Sequence, residues 1–184
     1  MITLKNITTL VVLIISSGLM YSQSDSVGIQ GTVKSDTVLP PIYTYYAKYG
    51  LHPDSASSIV LYNQVYEWTG TKYKYAGHDK SGIDCSGFVC AMYDTAYHIK
   101  LAGSALSLYS QVDTVPRDSL REGDILFFKI RKGQISHVGV YLGKDKFAHA
   151  SVHNGVILSD LKEAYYKKYF FVGGRLKGRD SQRD

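Results

Sequence analysis

The apolar residues change their spacing near residue 123. Before that point they recur with a helical period: Leu61, Val65 and Trp68, flanked by Tyr62 and Tyr66, follow i, i+4, i+7, and Gly70 stands where such a helix should stop. This spacing predicts a core helix over 55–68. Phe88 and Met92, then Val89 and Tyr93, repeat at i, i+4 behind Asp84, a good N-cap, and predict a second helix beginning at Cys85. A short third helix is expected over 107–112. After Gly123 the period is two, and 125–130, 137–142, 147–152, 156–158 and 170–176 read as strands. They are separated by Gly143-Lys144-Asp145 and by the hairpin dipeptide Asn154-Gly155. Helices first and a strand meander afterwards predict an α+β fold, with N-terminal helices packed on a five-stranded antiparallel sheet.

Upstream of the helices the pattern is of another kind. Residues 1–24 run from Lys5 through the apolar stretch 10–15 to small and polar residues, the order of a secretory signal peptide, and the apolar run is too short for a transmembrane helix. Residues 25–54 contain Pro40-Pro41 and a tyrosine-rich stretch over 43–49 without a steady period, and are expected to form an extended N-terminal arm. The folded domain is expected over 55–177 and a polar tail over 178–184. At 184 residues, 45% hydrophobic, the chain suits one domain. Its net charge of +5 is spread along the chain without a dense basic run, which argues against nucleic acid as a partner. The expectation is an exported monomer of the periplasm or extracellular cell envelope, with no stable membrane insertion once the signal is removed.

Two cysteines cannot make a disulfide framework, and Cys85 and Cys90 on one helix would lie about 7.5 Å apart, beyond disulfide reach. Cys90, between Val89 and Ala91, reads as a packing residue. Cys85, where a turn hands over to a helix, would meet the first free backbone N–H groups, an arrangement that lowers a thiol pKa. A nucleophilic thiol needs a base, and strand alternation selects two of the six histidines. With Val138, Val140 and Leu142 on one face of their strand, His137 projects from the other; Ala148, Ala150 and Val152 do the same for His149. A three-residue loop over 143–145 would set Leu142 opposite Lys146 and Val140 opposite Ala148, leaving both histidines on one face as diagonal neighbours. A Cys-His-His metal site is chemically allowed, but no fourth ligand is spaced for it, and no cofactor is expected.

Four stretches in order, Asp84-Cys85-Ser86-Gly87-Phe88-Val89, Gly123-Asp124-Ile125-Leu126-Phe127-Phe128, His137-Val138-Gly139-Val140-Tyr141-Leu142-Gly143 and Phe147-Ala148-His149-Ala150-Ser151, together resemble the NlpC-type bacterial cell-wall endopeptidases, papain-like cysteine peptidases. The resemblance implies a papain-like fold, Cys85 as nucleophile, His137 as general base, His149 as third polar residue, Tyr73 as an oxyanion donor and Ser86 as a substrate-cleft residue. It implies peptidoglycan stem peptides as substrate, usually cut at the γ-D-glutamyl to meso-diaminopimelate bond. Two positions depart from the family pattern. Ala76-Gly77 stands where two glycines are common, and Leu106 where an arginine often precedes the glutamine matching Gln111. Asp124 and Gln111 suit structural roles. Rival readings are a secreted antibacterial wall-degrading effector, a non-catalytic peptidoglycan-binding module, and an acyltransferase or lipid hydrolase on the same scaffold.

Overall fold

The computed structural model describes residues 40–177. The signal peptide expected over 1–24, the part of the arm over 25–39 and the tail over 178–184 lie outside the described residues. Chain order is α1 (Pro41–Ala47), α2 (Ile59–Trp68), the two-residue strands β1 (His78–Asp79) and β2 (Gly82–Ile83), α3 (Cys85–Tyr97), α4 (Ala105–Tyr109) and β3 (Val112–Val115). A 3-10 turn then leads to β4 (Ile125–Phe128), β5 (His137–Gly143), β6 (Lys146–Ser151), β7 (Gly155–Asp160), α5 (Ala164–Tyr169) and β8 (Phe170–Leu176). The main sheet is antiparallel and has six strands, not five, in the order β3-β8-β4-β5-β6-β7. The added strand, β3, has its two central residues exposed and carries no long apolar alternation; pairing with β8 makes it a strand. Among the described residues no helix is long and apolar enough to cross a membrane.

The sheet is buried on both faces, which explains why β4 reads as the unbroken run Ile-Leu-Phe-Phe. Ile125 and Phe127 join Val138, Val140 and Ala148 against Phe88, Val89 and Met92 of α3. Leu126 and Phe128 join Phe147, Leu161 and Tyr166 in a second, smaller core on the other face. The expected extended arm is corrected over 41–47: that stretch is helical. Pro41 occupies the first turn, where its fixed φ and missing N–H cost nothing, and Ile42 and Tyr46 bury one side of the short helix. Tyr46 is fully buried and donates its hydroxyl to the Tyr62 carbonyl at 2.8 Å, so the core begins upstream of residue 55.

The hairpin between β5 and β6 decides where the histidines point. Its turn is Lys144-Asp145, both at left-handed φ of 50° and 62°, with Gly143 paired to Lys146, not the three-residue loop expected. A two-residue turn alone would flip His149 to the far face. A bulge between Tyr141 and Gly143 inserts Leu142 as an extra residue and restores Tyr141 opposite Phe147 and Val140 opposite Ala148. The carbonyl of Leu142 accepts the Tyr62 hydroxyl at 2.7 Å, so helix α2 stabilises the bulge. At the next hairpin Gly155, at φ 68°, pairs with Ser151 around a three-residue loop over 152–154.

Candidate active site

The start of α3 is tied to the loop before it by a single carboxylate. Asp84 caps the helix, its Oδ1 accepting from the Gly87 N–H at 2.7 Å and the Ser86 hydroxyl at 3.0 Å, while its Oδ2 accepts from the Ala76 N–H at 3.1 Å. The Ile83 N–H donates to the Lys72 carbonyl at 3.0 Å, and the Lys74 N–H to the Ile83 carbonyl at 3.1 Å. Tyr73 is thereby bridged to Ile83, two residues before Cys85. Gly87 permits this close packing, because a Cβ there would stand 2.6 Å from the Gly77 carbonyl oxygen.

Cys85 is buried, and the Val138 backbone N–H donates to its sulfur, which sets the thiol beside the peptide that follows His137. Burial pushes the thiol up to about 11 and outweighs the backbone N–H groups of Val138, Ser86 and Cys85 itself, which pull it down. The lowering expected from the helix start is therefore overridden by desolvation. Desolvation also brings His137 down to about 4 and holds His149 well below the usual histidine range, with His137 adding to the effect on His149. Burial thus favours the neutral thiol of Cys85 and the uncharged imidazoles of His137 and His149.

The two rings meet edge to face, His137 Nε2 lying 2.8 Å from His149 Nδ1. His137 Nδ1 has no hydrogen-bond partner among the described residues and is free to take a proton from a neighbouring donor. Gly139 gives the pair room: a Cβ there would come within 3.1 Å of the His149 Cβ and 2.8 Å of the Phe147 ring. On its other edge His149 Nε2 lies 3.2 Å from Ser159 Oγ and 3.1 Å from Tyr166 Oη.

Cys85, His137, His149, Tyr73 and Ser86 all line one cleft of about 600 Å³. Its mouth carries the exposed side chains of Tyr75, Leu106, Val152 and Tyr165. Exposed apolar surface gathered around a concavity marks a binding site. Arg131 is the one Lys or Arg, and Glu163 the one carboxylate, among the described residues that line it. Ser86 faces the cleft while its hydroxyl is engaged by Asp84. Gln111 and Asp124 take the structural parts expected: the Gln111 amide donates to the Ala102 and Ser107 carbonyls, and buried Asp124 accepts Arg175 through both carboxylate oxygens. Cys90 is partly buried against the main core. No group of three or more His, Cys, Asp or Glu side chains among the described residues is arranged to hold a metal ion.

Sequence reading missed Arg131, Glu163, His153, Ser159 and Tyr166 as cleft or cleft-supporting residues. Ser159 lies one residue past the strand expected over 156–158; in the structure it pairs opposite Phe147 and so shares the face of His149. Tyr166 lies on α5, six residues rich in Tyr and Lys between two strands, where no apolar period announces a helix.

Residues 70–175 match the NlpC/P60 family. The chain belongs to that family. It is 37% identical over 120 residues to the murein DD-endopeptidase MepS/murein LD-carboxypeptidase of Escherichia coli K12, a match covering 65% of this chain and 63% of that protein. It is 36% identical over 117 residues to the probable endopeptidase NlpC of the same organism, covering 63% of this chain and 76% of the relative. The fold superposes on a crystal structure of an NlpC/P60 family protein from Bacillus cereus with a TM-score of 0.60 at 25% identity, over 67% of this chain and 41% of that one. Against the family pattern, Ala76 stands at φ 55°, a left-handed conformation that glycine would adopt without strain. Leu106 is exposed at the cleft mouth, and among the described residues Arg131 is the Lys or Arg that lines the cleft.

Proposed function

We propose that this protein is an exported cysteine endopeptidase that hydrolyses peptidoglycan stem peptides, with Cys85 as nucleophile, His137 as general base, His149 as its positioning partner and Tyr73 as an oxyanion donor. The observation that carries this reading is the 2.8 Å contact between His137 Nε2 and His149 Nδ1, which leaves the opposite ring nitrogen available in the cleft that Cys85 lines. The name of the relative MepS, a murein endopeptidase, supports the substrate class.

The chemistry starts from a neutral pair. As the Cys85 sulfur attacks the amide carbonyl, its proton passes to His137 Nδ1, and the tetrahedral oxyanion is held by the Cys85 backbone N–H and the Tyr73 hydroxyl. Burial first, and the nearby Cys85 and Asp84, raise the Tyr73 phenol, which therefore stays protonated as a donor. The imidazolium gives its proton to the leaving amine as the C–N bond breaks, and a thioester remains. Water then attacks the thioester, His137 takes the water's proton, and the acid product leaves as the proton returns to the thiol. His149 Nδ1 accepts from His137 Nε2–H throughout and supports the imidazolium.

The bond most in keeping with the family resemblance is γ-D-glutamyl to meso-diaminopimelate. The DD-endopeptidase name of MepS favours a second candidate, a peptide bond between two D-configured residues. Mass spectrometry of muropeptides after digestion of purified peptidoglycan separates them. Release of disaccharide-dipeptide is the expected result; cross-linked dimers resolved into intact tetrapeptide monomers would assign the DD bond. Binding without any hydrolysis that depends on Cys85 would overturn the enzyme reading in favour of a wall-binding module.

A further inference from the structure

His149 is 1% exposed, so every proton on its ring must be matched by protein. Its Nδ1 meets His137, and its Nε2 meets two hydroxyls, Tyr166 Oη at 3.1 Å and Ser159 Oγ at 3.2 Å. These two also bond to each other. The tyrosine is not placed there by chance contact with solvent: its ring is clamped edge to face by Phe147 at 5.0 Å and Phe128 at 5.8 Å, and Phe147 also stacks on the His149 ring at 5.0 Å.

A neutral imidazole carries one proton, and the two choices have opposite consequences. With the proton on Nε2, His149 donates to the hydroxyl pair and offers the Nδ1 lone pair to His137. His137 must then carry its proton on Nε2, and its Nδ1 is a base. With the proton on Nδ1 of His149, His137 Nε2 becomes the acceptor, its proton moves to Nδ1, and the nitrogen needed to deprotonate Cys85 is already occupied. We propose that Tyr166 and Ser159 are positioning residues that hold His149 in its Nε2–H tautomer, and through it hold His137 as a base toward Cys85. The proposal rests on the cysteine-peptidase reading above. In that arrangement a lone pair of Tyr166 Oη or of Ser159 Oγ accepts from His149 Nε2–H, and the chain of donors runs in one direction from His137 through His149 to the hydroxyl pair.

The test combines ¹⁵N-histidine NMR with a double-mutant cycle in the full-length protein. Wild type is expected to show His149 protonated at Nε2 and His137 protonated at Nε2. The double variant Tyr166→Phe/Ser159→Ala, checked by thermal melting to be folded, is expected to shift His149 toward the Nδ1–H form. On a muropeptide substrate its kcat should fall by about 10- to 100-fold, a part of what a positioned base contributes, with KM unchanged. In a His149→Asn background, where no Nε2 remains to be held, the same pair of changes should alter kcat by less than about twofold. An Nδ1–H His149 in wild type, an unchanged tautomer in the double variant, an equal loss in both backgrounds, or a rise in KM alone would each overturn it. The NMR arm reads the tautomer whether or not the protein turns over peptidoglycan, so failure of the peptidase reading would appear separately, as inactive wild type.

Discussion

At the scale of single residues, the two cysteines have opposite surroundings. Cys85 lines the cleft beside the Val138 N–H, whereas Cys90 packs against the main core. Cys85→Ala and Cys85→Ser are expected to abolish muropeptide hydrolysis while the melting temperature stays near wild type. Cys90→Ser should keep turnover and lose some stability, and an inactive, well-folded Cys90→Ser would transfer the nucleophile to the wrong side of the helix. Tyr73→Phe removes the hydroxyl proposed to hold the oxyanion without removing the ring, so kcat should drop by about 10²- to 10³-fold with little change in KM. Steady-state kinetics on one peptide would check this, with Tyr75→Phe as the control. The Tyr75 ring is 82% exposed at the mouth, and its hydroxyl should be dispensable.

Among the elements, the loop before α3 and the bulge in β5 hold the site by backbone geometry. Gly87→Ala would force a Cβ to 2.6 Å from the Gly77 carbonyl and 3.3 Å from Asp84 Oδ1, parting the loop from the helix it caps. A loss of about 1–3 kcal/mol in denaturant unfolding is expected, with a fall in turnover because Tyr73 rides on that loop. Ala76→Gly should do the reverse and gain up to about 1 kcal/mol, since it relieves an alanine held at φ 55°. The bulge has a similar test: Tyr62→Phe leaves the Leu142 carbonyl without the hydroxyl it accepts at 2.7 Å. A cost of about 1–3 kcal/mol is expected for that buried acceptor. If activity falls further than stability accounts for, the hydroxyl also maintains the register that joins the histidines.

For the whole molecule, burying three titratable groups in neutral form makes stability depend on pH from both sides. His137 falls from 6.5 to about 4 on folding, so between those values the unfolded chain binds more protons than the native one, and stability is lost as pH falls through that window. His149, lowered for the same reason and by its neighbour, adds to the loss. Cys85 rises from 9.0 to about 11, so stability is lost again as pH climbs between these values. Thermal melts should therefore show a plateau from about pH 6.5 to 9, with the acid limb costing on the order of 3 kcal/mol for His137 alone. His137→Gln should flatten the acid limb, and Cys85→Ala the alkaline one. Unaltered limbs in both variants would mean that other groups set the pH dependence.

The sequence alone determined the local elements, because their causes are local. Asp84 caps α3, apolar residues at i and i+4 build its buried face, and alternation along β5 and β6 sends His137 and His149 away from the helical core. The four ordered motifs of the family were legible for the same reason: each is a short stretch whose residues act together. Tertiary structure decided what depends on residues far apart in the chain. The histidines share a face because a two-residue turn and a bulge at Leu142 compensate each other, and the bulge's freed carbonyl is met by Tyr62, eighty positions earlier. The thiol pKa is set by burial and not by the helix start, since desolvation depends on everything that packs around Cys85. β3 exists because β8 pairs with it, α1 because Tyr46 finds Tyr62, and Ser159 and Tyr166 matter to the site because the fold brings two distant hydroxyls to one nitrogen of His149. A period along the chain reports which face a side chain takes; it carries no record of what the fold will set against that face.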